Sequence, residues 1–225
     1  MKNANKIFVF QKRGVSGFTS LVRRELKEED NCVLFAHKTV CGFSNRNQVA
    51  IDATLGGGKD FLFLCEKMSE GIVFGFDVQE RAVEKSRKRV ERRKMEDNKN
   101  IAEYHLFQTG HENLSKHVPQ HFFGKVNVVM FNLGYMISKG SDKSKITKKE
   151  TTIEALEQSL QIVSKENFLI SVVMYNAHEE GREESKALKQ WASILSPQKP
   201  FFFTNYFFPH TPKRNEILFI SSKQV

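Results

Sequence analysis

A chain of 225 residues that is 40% hydrophobic and 11% aromatic has enough apolar material to bury the core of one domain, and one domain is the simplest expectation. A formal net charge of +9 and a pI of about 9.4 favour a polyanionic partner, because clustered Lys and Arg speed encounter with nucleic acid and release counterions from it. Three cysteines, Cys32, Cys41 and Cys65, odd in number and nowhere at C-x-x-C spacing, argue against a disulfide framework or a zinc site and for a reducing compartment. No metal is expected, and no apolar run is long enough to span a bilayer.

Residues 1–32 read as a basic N-terminal extension ahead of a domain covering 33–225. From residue 1 to 24, Lys2, Lys6, Lys12, Arg13, Arg23 and Arg24 stand without an acid, and Val15 to Leu26 has the pattern of a basic amphipathic helix. An organelle presequence, an RNA-contacting arm and a solvated extension are three open readings of this segment. The start lacks the hydrophobic core of a secretory signal, so a cytoplasmic protein is expected, with organellar import left open.

The run Val49-Ala50-Ile51-Asp52-Ala53 reads as a buried strand entering the loop Gly56-Gly57-Gly58, after which Asp60 to Lys67 forms a helix with Phe61, Leu62, Leu64 and Cys65 as its apolar stripe. Ile72 to Asp77 reads as a parallel neighbour ending in a carboxylate. Together they outline a nucleoside pocket: glycines let backbone N–H groups and a ligand approach closely, and Asp77 accepts the ribose hydroxyls. A phosphate-cradling P-loop is disfavoured by Ala53 and Asp60, which stand where its first Gly and its Ser/Thr belong. A dinucleotide fingerprint is disfavoured by Phe61 in place of the third Gly, leaving NAD as the second choice. What remains resembles the D-x-x-x-G-x-G pattern of class I S-adenosylmethionine (SAM) methyltransferases, from Asp52 to Gly58. Asp60 is expected to stabilise the helix start rather than to take part in chemistry.

Further along, Gln79 to about Arg93 forms a charged helix whose Glu80, Glu84 and Glu91 offset its Lys and Arg, a solvated face. Strands follow at about 103–107, 126–131 and 168–174, with helices from Thr152 to Val163 and from Glu180 to Leu195. Phe201 to Phe208 and Glu216 to Ile220, joined through a proline-containing turn, form a final antiparallel hairpin. The expected fold is therefore α/β and Rossmann-like, a mostly parallel sheet with a C-terminal antiparallel hairpin. Right-handed crossovers then bring the strand ends before Asp52, Asp77, His111 and Asn132 to one edge. There Asn132-Leu133-Gly134-Tyr135 resembles the (N/D/S)-P-P-(Y/F) turn of methyltransferases acting on amino nitrogens, with Leu-Gly replacing Pro-Pro. Such a turn accepts hydrogen bonds from the target N–H groups and so points the nitrogen lone pair at the S–CH3 bond. Tyr135 would close the pocket against a base.

Phe35-Ala36-His37, Asp52-Ala53-Thr54, Phe76-Asp77-Val78-Gln79, Gly110-His111-Glu112, Phe131-Asn132-Leu133-Gly134-Tyr135, the loop with Gly140, Asp142 and Lys143, and Tyr175 with His178 and Gly181 resemble the bacterial-type family labelled putative rRNA methylases. The resemblance runs from about residue 33 to the C-terminus and is most specific at N-L-G-Y and at T-T-I-E-A-L-E. Members of that family methylate the aminomethyl group of the tRNA wobble uridine to 5-methylaminomethyl(-2-thio)uridine. The resemblance implies SAM as cofactor, held by Asp52, Gly56, Gly57, Gly58, Lys59, Asp77, Gln79, Gly110 and His111. It implies Asn132, Tyr135, Asp142 and His178 as catalytic candidates. Two departures stand out: Gly57 and Lys59 replace the family's usual Asn and Asn/His. Lys59 is then expected to reach the ligand carboxylate rather than the sulfonium.

Lys139, Lys143, Lys145, Lys148 and Lys149 line the loop after the Asn132 turn, where Lys139, Lys143, Lys145 and Lys148 are candidate phosphate contacts. An alkyl ammonium has a reference pKa of about 10, so the target amine must lose a proton before attack; Asp142, Tyr175 and His178 are open choices of acceptor. The expected activity is N-methylation of the wobble aminomethyluridine of tRNA, engaged at its anticodon stem-loop, by a monomer or homodimer. Methylation of rRNA or a small amine, and a non-catalytic RNA-binding module, are the alternatives.

Overall fold

The computed structural model describes residues 5–13, 19–26, 32–97, 100–134, 145–195, 201–207, 215–223 and 225. In chain order its elements are β1 (Asn5–Arg13), β2 (Thr19–Leu26), α1 (Cys32–Phe43), β3 (Val49–Asp52), α2 (Lys59–Lys67), β4 (Ile72–Asp77), α3 (Glu80–Asp97) and β5 (Glu103–Gln108). After β5 come α4 (Leu114–His117), β6 (Val126–Asn132), α5 (Lys149–Ile162), β7 (Leu169–Met174), α6 (Glu179–Leu195), β8 (Phe202–Phe207) and β9 (Glu216–Ser221). The strands form one sheet in the order β2-β1-β8-β9-β7-β6-β3-β4-β5.

Strands β3 and β7 are buried along their whole length, as parallel strands covered by helices on both faces must be, which is why they read as unbroken apolar runs rather than alternating ones. On one face Phe35, Ala36 and Val40 of α1 pack with Phe61, Leu64 and Cys65 of α2 and Ala82, Val83 and Val90 of α3. On the other, Leu114, Ala155, Leu156, Ile162 and Leu188 pack from α4, α5 and α6 against Ile51, Phe74, Val129 and Val172. Strand β3 pairs in parallel with β4 on one side and with β6 on the other. The chain therefore reverses its winding between β3 and β6, which opens a crevice at their carboxyl ends. The antiparallel β8–β9 hairpin forms as expected, with β9 against β7, but β1 and β2 extend the sheet beyond β8.

The N-terminal segment departs from the expected helix. Thr19–Leu26, the described part of the expected Val15 to Leu26 helix, is instead strand β2, paired antiparallel with β1, and β1 pairs with β8 from Phe8↔Phe207 to Arg13↔Phe202. The β-branched and aromatic run Ile7-Phe8-Val9-Phe10 supplies a strand for the otherwise unpaired edge of β8, and sheet pairing overrides the local helical spacing. Helix α1 had no counterpart in the sequence reading, and α5 begins three residues earlier than expected. No described helix is long and apolar enough to cross a membrane.

Candidate active site

The loop after β3 is held from both sides. Leu55 N–H donates to the Phe76 carbonyl (3.0 Å), tying the loop to β4, and Gly58 N–H returns to the Leu55 carbonyl (2.7 Å). Gly58 has φ +71°, and a Cβ there would lie 2.8 Å from the Ser86 Cα, so only glycine lets α2 start this close to α3. Arg89 Nε donates to the Gly57 carbonyl at 3.0 Å. Asp77, at the tip of β4, accepts the Gly56 N–H at Oδ2 and the Gln79 N–H at Oδ1, both at 2.9 Å. The acid thus braces the glycine loop and the entry to α3 at once.

Three carboxylates converge here. Asp52 is 1% exposed; its Oδ1 accepts the Thr54 N–H at 3.0 Å and its Oδ2 has no hydrogen-bonding partner among the described residues. Burial, and then the neighbouring Asp60, push the Asp52 carboxyl well above the usual range. Burial also raises Asp77, against the opposing pull of its two backbone N–H donors. No Lys or Arg pairs with these three acids among the described residues. Burial favours the neutral forms of Asp52 and Asp77, and a cationic group entering the crevice would favour their ionised forms.

Asn132 ends β6 beside them. Its backbone N–H donates to Thr54 Oγ1 at 2.7 Å, and its side-chain Nδ2 donates to Asp60 Oδ2 at 3.0 Å. Asp60 Oδ1 lies 2.8 Å from His37 Nε2, and the His37 ring stacks on Phe63 with centroids 3.9 Å apart and planes 3° from parallel. Asn132 Oδ1 is buried and has no partner among the described residues. Tyr175 sits next to this group: burial, then Cys32 and Asp60, push its hydroxyl above the ordinary tyrosine value, with the Asn132 side chain opposing. Tyr175 is fixed from behind, since a Cβ on Gly181 would collide with its carbonyl oxygen.

The turn beyond Asn132 is anchored to the helical layer. Gly134, at φ +112°, donates its N–H to Thr147 Oγ1 (2.8 Å) and accepts the Thr147 N–H (3.0 Å). Thr147 Oγ1 in turn donates to Glu184 Oε2 at 2.8 Å, and Thr152 Oγ1 donates to Glu184 Oε1 at 2.7 Å. His111, 7% exposed, stands 3.5 Å from Thr152 Oγ1 through Nε2 and bonds the Ala53 backbone; burial lowers its pKa, which keeps the ring neutral. Gly110 leads into His111, and a Cβ on it would collide with the Glu112 carboxylate.

The expected site residues therefore fall into groups. Asp52, Gly56, Gly57, Gly58, Asp77, Gln79 and Asn132 gather at the switch point, with Gly110 and His111 beside it after β5. Lys59 is the first residue of α2 and is exposed, and His178 is exposed just ahead of α6. Lys145 and Lys148 are exposed before α5. Tyr135, Lys139, Asp142 and Lys143 lie outside the described residues. Sequence reasoning missed His37 and the link from Asp60 to Asn132. From sequence Asp60 reads as a residue of the helix start and His37 as part of Phe35-Ala36-His37; their 23-residue separation gives no local signal of a contact. Val78, immediately after Asp77, is 50% exposed, an exposure that only the structure reveals.

A parallel α/β sheet with a reversed antiparallel end, a glycine loop after its first parallel strand and an acid after its second defines a class I methyltransferase fold, and solved structures agree. A putative rRNA methylase from Clostridium thermocellum is 27% identical with a TM-score of 0.72, over 85% of this chain and 97% of that one. A putative methyltransferase from Streptococcus mutans, solved in complex with SAH, is 25% identical with a TM-score of 0.67, over 85% and 98%. The chain belongs to the family described as putative rRNA methylase, whose model matches residues 73–222. The chloroplastic tRNA (mnm(5)s(2)U34)-methyltransferase of Arabidopsis thaliana is 32% identical over 156 residues, 67% of this chain; the match spans about half, 54%, of that protein's length.

Proposed function

We propose that this chain is a SAM-dependent N-methyltransferase acting on the aminomethyl group of the tRNA wobble uridine, to give 5-methylaminomethyl(-2-thio)uridine. The observation that carries the reading is the state of Asn132: its Nδ2 is occupied by Asp60, while its Oδ1 is buried with no partner among the described residues. An unpaired buried acceptor costs about 1–3 kcal/mol, a penalty that an incoming N–H relieves. The S. mutans relative in complex with SAH supports the cofactor, and the name of the Arabidopsis relative supports the nucleotide.

The residues present fit SAM. On this reading Asp77 accepts the ribose hydroxyls, the exposed Val78 meets the adenine, and Asp52 Oδ2, which has no partner among the described residues, accepts the ligand's ammonium. The Asp52 and Asp77 carboxylates favour a ligand that carries both an ammonium and a sulfonium. When bound, SAM supplies an electrophilic methyl group. The protein's part is orientation: Asn132 Oδ1 accepts one N–H of the target amine and turns its lone pair toward the methyl carbon. Tyr175, held protonated by burial, is unsuited to take the amine's proton, which leaves Asp142 and His178 as candidate acceptors. Lys145 and Lys148 are exposed before α5, and on this reading they contact phosphates together with Lys139 and Lys143.

The test is methyl transfer to tRNA carrying the aminomethyl group, read as nucleosides by mass spectrometry. Asn132→Ala is expected to lower kcat by about one hundredfold or more while SAM binding stays nearly intact, since it removes orientation rather than affinity. Equal losses of cofactor binding and turnover would reduce Asn132 to a structural residue. Methyl incorporation only into rRNA or a free amine would move the activity to those substrates.

A further inference from the structure

We infer that Asp60, held by His37, is a positioning residue that fixes which end of the Asn132 amide faces the substrate. The inference rests on the N-methyltransfer reading above and adds the device that makes Asn132 work. An asparagine amide has two ends of nearly equal shape and opposite hydrogen-bonding character, so its strand position alone does not choose between them. The choice falls to the neighbours. An ionised carboxylate only accepts, so Asp60 Oδ2, 3.0 Å away, can bind the NH2 end and no other. Oδ1 is thereby turned away from Asp60 and left as the unpartnered buried acceptor.

Reversing this amide would harm the reaction in a specific way. In the transfer, the amine lone pair forms the N–CH3 bond, the S–CH3 electron pair stays on sulfur as a neutral thioether, and the surplus proton leaves nitrogen for a base or solvent. With the NH2 end facing inward, the Asn132 side chain would donate into that same lone pair and hold it back from the methyl carbon. Asp60 itself needs restraint. Its Oδ1 is held at 2.8 Å by His37 Nε2, and the His37 ring is locked by its stack on Phe63, so α1 and α2 together hold the carboxylate in the plane that Asn132 requires. Stabilising the start of α2, the simpler role for an acid in its first turn, requires neither His37 nor Asn132.

The experiment measures kcat, KM for tRNA and SAM affinity in full-length variants, once the wild type has been shown to transfer methyl groups. Asp60→Asn, which can present either end to Asn132, should lower kcat by about thirtyfold with SAM and tRNA affinities changed by less than about threefold. In the Asn132→Ala background the same change should cost less than about twofold, because a residue acting through Asn132 has nothing left to orient. The double variant Asn132→Asp/Asp60→Asn restores a donor opposite an acceptor and should recover at least about tenfold over Asn132→Asp alone, a rescue that a purely structural role would not produce.

Unchanged kcat in Asp60→Asn, losses that multiply with Asn132→Ala, or loss of SAM binding would each overturn the inference while leaving the N-methyltransferase reading standing. A wild-type chain that methylates no amine would overturn both. If Asp60→Asn does not fold, His37 carries the test: His37→Gln, which keeps a donor, should retain more turnover than His37→Ala at equal melting temperature, and equal losses overturn the inference.

Discussion

At the residue scale, single atoms divide the work of the crevice. Asp77 binds two backbone N–H groups and has oxygen lone pairs to spare for a ribose, so Asp77→Ala should weaken SAM binding by about 1.5–3 kcal/mol, the range for hydrogen bonds to a charged group. Calorimetry on the folded variant that finds unchanged affinity would remove Asp77 from the binding site. Gly58 answers to backbone geometry instead. Gly58→Ala would hold a side chain at φ +71° against the Ser86 backbone and should lower unfolding free energy by about 1–3 kcal/mol, measured by denaturant titration. The glycine loop and both strand-end acids were legible because each follows an apolar run at a fixed offset. The bond from Asp60 to Asn132 was not, because 72 residues separate the partners.

At the element scale, Glu184 of α6 joins the Asn132 turn to α5 through Thr147 and Thr152. Burial raises its carboxyl, against the two threonine bonds that favour the charged form. An acid whose folded pKa lies above its unfolded one stabilises the fold most below the unfolded value, about 4.3 for Glu, and that contribution fades as pH rises through the folded value. Glu184→Gln should therefore gain stability relative to wild type between about pH 4 and pH 7. A difference between the two unfolding curves that stays flat with pH would show an unshifted carboxyl. The segment leading into α5 carries the proposed phosphate contacts. Replacing Lys143, Lys145 and Lys148 together by Ala should flatten the log-log salt dependence of tRNA binding by up to about three units. An unchanged slope returns these lysines to solvent and shifts attention to the Arg- and Lys-rich strands β1 and β2.

At the scale of the whole molecule, a ligand that binds only the folded state raises its stability by mass action, by about 2.7 kcal/mol at one hundred times its dissociation constant. SAM should accordingly raise the melting temperature and NAD should not; the reverse would reinstate the dinucleotide reading that Phe61 argued against. The sequence by itself determined the α/β class, the strand-loop-helix around Gly56–Gly58, and the strand ends at Asp77 and Asn132, because each depends on short-range periodicity and turn chemistry within a few residues. Tertiary structure alone decided the rest. Pairing with β1, itself seated on β8, made Thr19–Leu26 a strand although its local pattern is helical, since an open sheet edge offers backbone partners that sequence spacing does not reveal. Packing of α1 on α2 brought His37 to Asp60, and the β3–β6 crossover brought Asp60 to Asn132, because side chains distant in sequence become neighbours only when the chain closes its core.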